Sequence, residues 1–236
     1  MNGKGIQESL REIRERIAAA ARRAGRKPED ITLVAVSKMH TAEAIREAFE
    51  AGVTHFGENR VQEWEGKRGA LEGLPGAWHL IGHLQSNKAA KAARLFDSVD
   101  SVDDLAVAER LDRARSELSD QRKLRVLIEV RVAPEDSKSG VERVNLTVLG
   151  EQISALQRLD LCGLMCVPPF LEEAEKVRPY FSQLRMLKDD LEIKLGRTFP
   201  VLSMGMSHDF EIAIEEGATE VRLGTALFGG RPAQHA

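Results

Sequence analysis

The sequence predicts an α/β fold: one parallel (β/α)8 TIM-like barrel with an additional helix at its N-terminus. Three observations carry this expectation. Eight short apolar segments alternate strictly with helical ones, and strict alternation gives a parallel sheet. Several of the strand segments are nearly continuous apolar runs, as suits strands covered on both faces. No GxGxxG follows any strand, which counts against the runner-up, a doubly wound open sheet. The 236 residues suit a single barrel. No linker or low-complexity stretch divides them, so residues 1–236 read as one domain.

Composition narrows the class. With 42% hydrophobic and 30% charged residues, this is an ordinary globular chain with an ample core. A net charge of −3 leaves no basic footprint for nucleic acid. No apolar run is long enough for a membrane span or a signal peptide. Cys162 and Cys166 offer no disulfide framework. A cytoplasmic protein is expected.

The elements follow in order. Ile6, Leu10, Ile13, Ile17 and Ala21 recur at helical spacing, so a helix spans Gln7 to Ala24 and stops at Gly25. The first strand is 31–37. A helix follows it with Thr41 as N-cap and Gly52 as its C-terminal signal. Strands at 54–59, 78–84 and 97–102 alternate with helices at 61–71, 86–96 and 103–118. KLRVLIEVRV (123–132) is the clearest strand. A polar loop and a helix over 145–158 come next. Strand 160–167 ends at Pro168-Pro169 and precedes a long helix over 171–195. Strand 200–205 leads into a helix over 207–217 with Ser207 as N-cap, and strand 220–224 into a last short turn or helix.

In such a barrel, function sits where strands end, and phosphate often lies after strands seven and eight. The first strand delivers Lys38. Desolvation there would favour a neutral amine, and a neutral amine can attack an aldehyde. The competing reading is a lysine that snorkels to solvent. Strand seven delivers Gly205, Met206 and Ser207, and strand eight Arg222, Gly224 and Thr225. Glycine allows close backbone approach, and Ser207 and Thr225 each open a helix, where an anion is favoured. Ser207 as a plain N-cap is the alternative. A phosphate cradle beside a strand-end lysine suggests pyridoxal 5′-phosphate (PLP) or the sugar phosphate of a lysine aldolase. Arg222 shares the face of Gly224 and could meet the pyridine nitrogen of PLP. A salt bridge within the barrel is its other reading.

The segments VAVSK, HFGENRVQE, WHLIGHLQSNK, SKSGV, GLM, LSMGMSHDFEIAIEEG and VRLGTALFG resemble the PLP homeostasis (PLP-binding) protein family. The resemblance spans nearly the whole chain and is similar to the N-terminal barrel of alanine racemase standing alone. It implies that Lys38 is the Schiff-base lysine and Asn59 a cofactor-lining residue. Ser207, Gly224 and Thr225 match the phosphate contacts, with Met206 in the same SMGMS turn, and Arg222 matches the pyridine partner. Many members carry tyrosine where this chain has Arg60, so a stacking or hydroxyl role there is in doubt. The resemblance further implies a PLP carrier or regulator of amino-acid homeostasis. PLP-dependent apoenzymes are possible partners and a monomer is expected.

An amino-acid racemase needs acid/base groups on both faces of the carbanion. In alanine racemase, the resemblance implies, the second comes from a C-terminal β-domain, and none is expected here after Thr225. Its single tyrosine, Tyr180, falls within a helix. A PLP racemase or decarboxylase using Lys38 with a histidine or water stays open as the alternative. His79 and His83, four apart on one strand face, suggest metal but lack a third ligand, so a core or rim role is favoured. Cys162 and Cys166 share a strand face and read as packing. The Glu135–Lys138 loop is either a solvated loop or a lid.

Overall fold

The computed structural model describes residues 4–133 and 139–230. Eight parallel strands close into a barrel in chain order, β1 to β8. They are β1 (Thr32–Val36), β2 (His55–Glu58), β3 (Ala77–Leu80), β4 (Ser98–Val102), β5 (Leu124–Glu129), β6 (Leu159–Met165), β7 (Val201–Ser203) and β8 (Glu220–Leu223). The helices are α1 (Ile6–Arg23), α2 (Ala42–Glu50), α3 (Val61–Arg68), α4 (Ala89–Leu95), α5 (Leu105–Ser116), α6 (Leu146–Ser154), α7 (Arg178–Leu195), α8 (Phe210–Glu215) and α9 (Thr225–Phe228). This is the barrel that the alternation predicts.

Two layers make the core, and β2 shows how the sequence divides between them. Phe56 faces outward and stacks on Trp78 of β3 at 5.0 Å, while Trp78 stacks on Trp64 of α3 at 3.7 Å. Gly57 points the other way, where an added Cβ would meet Val34 and Ile81 side chains at 3.0 Å. One strand thus feeds both layers, as alternation requires. α1 lies outside, its buried Leu10, Ile13, Ile17, Ala20 and Ala21 packed toward α8 and α9.

Four expectations need correction. Ser207 is not the N-cap of α8: the helix starts at Phe210 with Asp209 at the cap. The Asp209 carboxylate accepts from the Met206 N–H at 2.6 Å, and the Met206 carbonyl accepts from the N–H groups of Asp209 and Phe210. Residues 206–209 therefore form a closed turn before the helix. Next, β3 ends at Leu80, so His83 lies beyond the strand and does not share a strand face with His79. Finally, Leu161 and Gly163 face consecutive residues of β5, Val126 and Leu127. This bulge at Cys162 shifts the alternation, so even spacing no longer puts Cys162 and Cys166 on one face. The long helix is also shorter than expected, with a 3-10 turn over Ala174–Val177 preceding α7 and Pro179 in its first turn.

Candidate functional site at the barrel mouth

The candidate residues come from four neighbouring strand ends: β7, β8, β1 and β2. Lys38 follows Ser37 directly after β1 and is half-buried. It lies in a turn closed by His40 N–H donating to the Ser37 carbonyl at 3.1 Å. Met39 takes φ 64°, a left-handed conformation that costs a non-glycine residue about 1–2 kcal/mol. Such a cost persists only where the surroundings hold the turn.

The surroundings do so on several sides. Ser37 N–H donates to Gly57 O at 2.9 Å and its hydroxyl to Glu58 Oε1 at 2.7 Å. Lys67 of α3 donates to Ser37 O at 2.9 Å and to Glu58 Oε1 at 3.0 Å, and pairs with Glu63 Oε1 at 2.7 Å. That same Glu63 oxygen accepts from Met39 N–H at 2.5 Å. Beyond the turn, His40 stacks on Phe228 of α9 at 4.5 Å. Burial pushes the Glu58 carboxyl up against the pull of Lys67 and Ser37. Glu63 is also raised by burial, but Lys67 and the Met39 N–H outweigh it and hold the carboxyl low.

On the other side, Ser207 and α9 touch: the Ser207 hydroxyl accepts from Ala226 N–H at 3.2 Å. Thr225 is exposed beside it and Gly224 precedes it as the N-cap. The Ser207 and His208 N–H groups sit at the apex of the 206–209 turn with no acceptor among the described residues. Gly205 takes φ 95°, and a Cβ there would lie 2.6 Å from that of Ala213. Only glycine fits so close a strand-to-helix turn.

Arg222 is 4% exposed. It donates to Ser203 Oγ and to Cys166 O, both at 2.7 Å. The salt-bridge reading is not what it makes: among the described residues its hydrogen-bond partners are neutral oxygens. Asn59 is half-buried and Arg60 exposed at the N-cap of α3. Asn59 also lines a cavity of about 600 Å3 with His83, Glu129 and Arg131.

Glu129 is a group that sequence reading missed. It stands at the end of β5, four strands from β1 around the ring. It is 7% exposed and accepts from Ser139 Oγ at 3.2 Å. Burial, with Asp103 adding to it, pushes its carboxyl up. The loop expected over 135–138 falls outside the described residues, but its C-terminal edge is pinned. Gly140 N–H donates to Asp103 at 3.1 Å, and Val141 bridges to Val130.

The remaining candidates lie in a buried polar cluster, on the rim or in packing. His79 is buried, with Nδ1 2.9 Å from Asp100 Oδ2 and Nε2 3.0 Å from His55 Nδ1. His83 is on the rim, 3.7 Å from Asp103. Asp100 and Glu220, from β4 and β8, supply the extra ligand atoms around His79 that spacing along one strand could not reveal. Arg125 pairs with Glu220 at 2.6 Å inside the same cluster, and both His79 nitrogens are engaged. The cluster therefore reads as a buried charge network. Both cysteine thiols are pushed up to about 12, chiefly by burial, so neither offers a thiolate at neutral pH. Tyr180 packs in the first turn of α7 against the outer hydrophobic layer.

Residues 9–232 match the alanine racemase N-terminal domain family. A pyridoxal phosphate homeostasis protein of Aquifex aeolicus is 45% identical over 224 residues, 95% of this chain and 97% of that one. The Escherichia coli K12 protein of the same name is 43% identical over 230 residues, 96% and 97% of the two chains. This chain belongs to the pyridoxal phosphate homeostasis protein family. A solved family structure, PipY of Synechococcus elongatus with PLP bound, superposes with a TM-score of 0.84. It is 42% identical, covering 95% of this chain and all of that one. Alanine racemase of Clostridium difficile shares the fold at 15% identity and a TM-score of 0.74, covering 96% of this chain and 58% of that one. Among the described residues of this family member, no helix is long and apolar enough to cross a membrane.

Proposed function

We propose that this protein binds PLP through a Schiff base at Lys38 and acts as a carrier or regulator of the cofactor. The observation that carries this reading is the convergence of Lys38, Ser207, Arg222, Gly224 and Thr225 on three consecutive strand ends, in a family whose PipY member was solved with PLP. The donor set suits the cofactor. Lys38 offers an amine for the aldehyde, and Asn59 lines the same mouth. The Ser207 hydroxyl, the apical N–H groups of Ser207 and His208, and Thr225 suit the phosphate, with Met206 in the same turn. Arg222 suits the pyridine nitrogen: an arginine stays protonated, so it donates to an unprotonated ring nitrogen and weakens the ring as an electron sink. When bound, PLP supplies that sink for negative charge at an amine's α-carbon.

The residues here bind and orient more clearly than they exchange protons. These groups all come from one barrel, which supports action as a monomer; the proposal places it in the cytoplasm, with PLP-dependent apoenzymes as recipients. The purified protein is expected to be yellow. Borohydride should fix one PLP per chain and bleach the colour, and Lys38→Ala should abolish both. A colourless protein with no PLP by mass spectrometry overturns the reading.

Glu129 favours a second reading, a PLP enzyme acting on an amino acid. A buried carboxyl of raised pKa at the mouth is a candidate proton donor. Incubation with amino acids in deuterated water separates the two. Sustained α-deuteration that requires both Lys38 and Glu129 would establish the enzyme.

A further inference from the structure

We propose that Lys67 and Glu63 of α3 are positioning residues for Lys38, forming a clamp that fixes the lysine-bearing turn and thereby sets how readily Lys38 captures an aldehyde. The inference rests on the reading of Lys38 as the Schiff-base residue.

All three donors of the Lys67 ammonium are committed: to Ser37 O, to Glu58 Oε1 and to Glu63 Oε1. Two of these contacts bracket Lys38 in the chain. The Ser37 carbonyl is held directly, and the Met39 N–H is held through Glu63. Lys38 is thus suspended between two backbone groups tied to one ammonium. The arrangement is built rather than incidental. Lys67 keeps only 15% side-chain exposure and Glu58 none. Among the described residues Glu58 Oε2 is buried without a hydrogen-bond partner, so the carboxylate is spent through its other oxygen on Ser37 and Lys67. A charged pair this buried carries a desolvation cost that a stability role alone does not recover readily. Met39, held left-handed at φ 64°, shows that the turn is kept in a conformation that the chain would otherwise leave.

Capture of an aldehyde requires the Lys38 Nζ lone pair to add to the carbonyl carbon. One amine proton passes to the oxygen to give the carbinolamine, and the second goes with that hydroxyl as it leaves as water and the C=N bond forms. Every step needs the amine held over a carbonyl whose phosphate end is anchored elsewhere, on the Ser207 and Thr225 side. Misplacement by about 1 Å is enough to cost such a reaction heavily. Among the described residues, the hydrogen bonds and ion pairs of Lys67 and Glu63 reach neither the 206–209 turn nor Arg222, so loosening the clamp should separate capture from docking.

The test uses Lys67→Met and Glu63→Ala in the full chain, each titrated with PLP. Docked cofactor is measured by equilibrium dialysis, and covalently held cofactor by mass after borohydride reduction. The expected result is that PLP still docks, while the fraction fixed to the chain at a given time falls about tenfold. Glu63 is partly exposed, so Glu63→Ala decides the matter if Lys67→Met does not fold. Wild-type fixation rates in a folded Glu63→Ala and, where it folds, Lys67→Met overturn the clamp. Equal loss of docking and fixation also overturns it, because that reports general damage. Lys38→Ala is run alongside. If it still fixes PLP, the reading of Lys38 itself fails, whatever the clamp variants do.

Discussion

Gly82 and Asn59 meet backbone to backbone at the rim of the mouth, where a Cβ on residue 82 would lie 2.4 Å from Asn59 O and 2.8 Å from its Cα. No side-chain motion relieves a clash with main chain, so Gly82→Ala must push the β2 end away. Overpacking of this kind costs about 1–3 kcal/mol. Gly82→Ala should therefore lower the urea midpoint and weaken PLP binding several-fold by moving Asn59. Retained affinity at lowered stability would mean that Asn59 does not contact the cofactor. The positions of Lys38, Asn59 and Arg222 at or beside strand ends were legible in the sequence, because each sits within a recognisable motif. The contacts of Lys67 and Glu63 with the β1 turn were not, because they depend on α3 folding back over it. No periodicity signals that contact.

At the scale of elements, α1 shows which forces hold the barrel's outer layer. Its apolar stripe is buried against the layer formed by α8 and α9. Its ion pairs to α8, Arg16–Glu211 at 2.9 Å and Arg23–Glu215 at 2.6 Å, are partly exposed. Such surface pairs contribute about 0–1 kcal/mol, whereas truncating a buried isoleucine to alanine costs about 2–5 kcal/mol. Ile13→Ala should thus destabilise far more than Arg16→Ala in urea unfolding, and equal effects would contradict the ranking. The helix pattern predicted α1 to within a residue at either end. The start of α8 was missed for a reason that is tertiary. Ser207 has the right chemistry for a cap, but its hydroxyl accepts from Ala226 N–H in α9, and Asp209 takes the cap position.

Across the whole molecule, the strand alternation foretold the barrel but not its polar filling. His79, Asp100, Arg125 and Glu220 come from β3, β4, β5 and β8, and closure alone gathers them. That filling governs how stability depends on pH. Asp100 and burial act in opposite directions on His79, and Asp100 wins, raising the imidazole above its usual value. Asp100 is held below the usual carboxylate range by His79 despite its own burial. His55 is lowered to about 4 by burial and by His79, so it stays neutral and accepts from the His79 Nε2–H. A raised group contributes stability that is complete below its unfolded value, near 6.5 for histidine, and is lost as pH rises through its folded value. A lowered carboxyl contributes stability present above its unfolded value, near 3.9 for aspartate, and lost as pH falls through its folded one. Glu58, Glu129 and Asp209, each raised by burial, act in the same direction as His79. His55 and His40, both lowered, act the other way and lose stability as pH falls below about 6.5, so they offset the raised carboxyls in that range. Above about pH 6.5 the raised His79 governs, and stability in urea should decline as pH rises through its folded value and fall in acid as Asp100 is protonated. Asp100→Asn removes the partner that holds His79 protonated. The variant should be weaker throughout and lose much of the decline above pH 6.5. A decline of unchanged slope would place the titrating group elsewhere than His79.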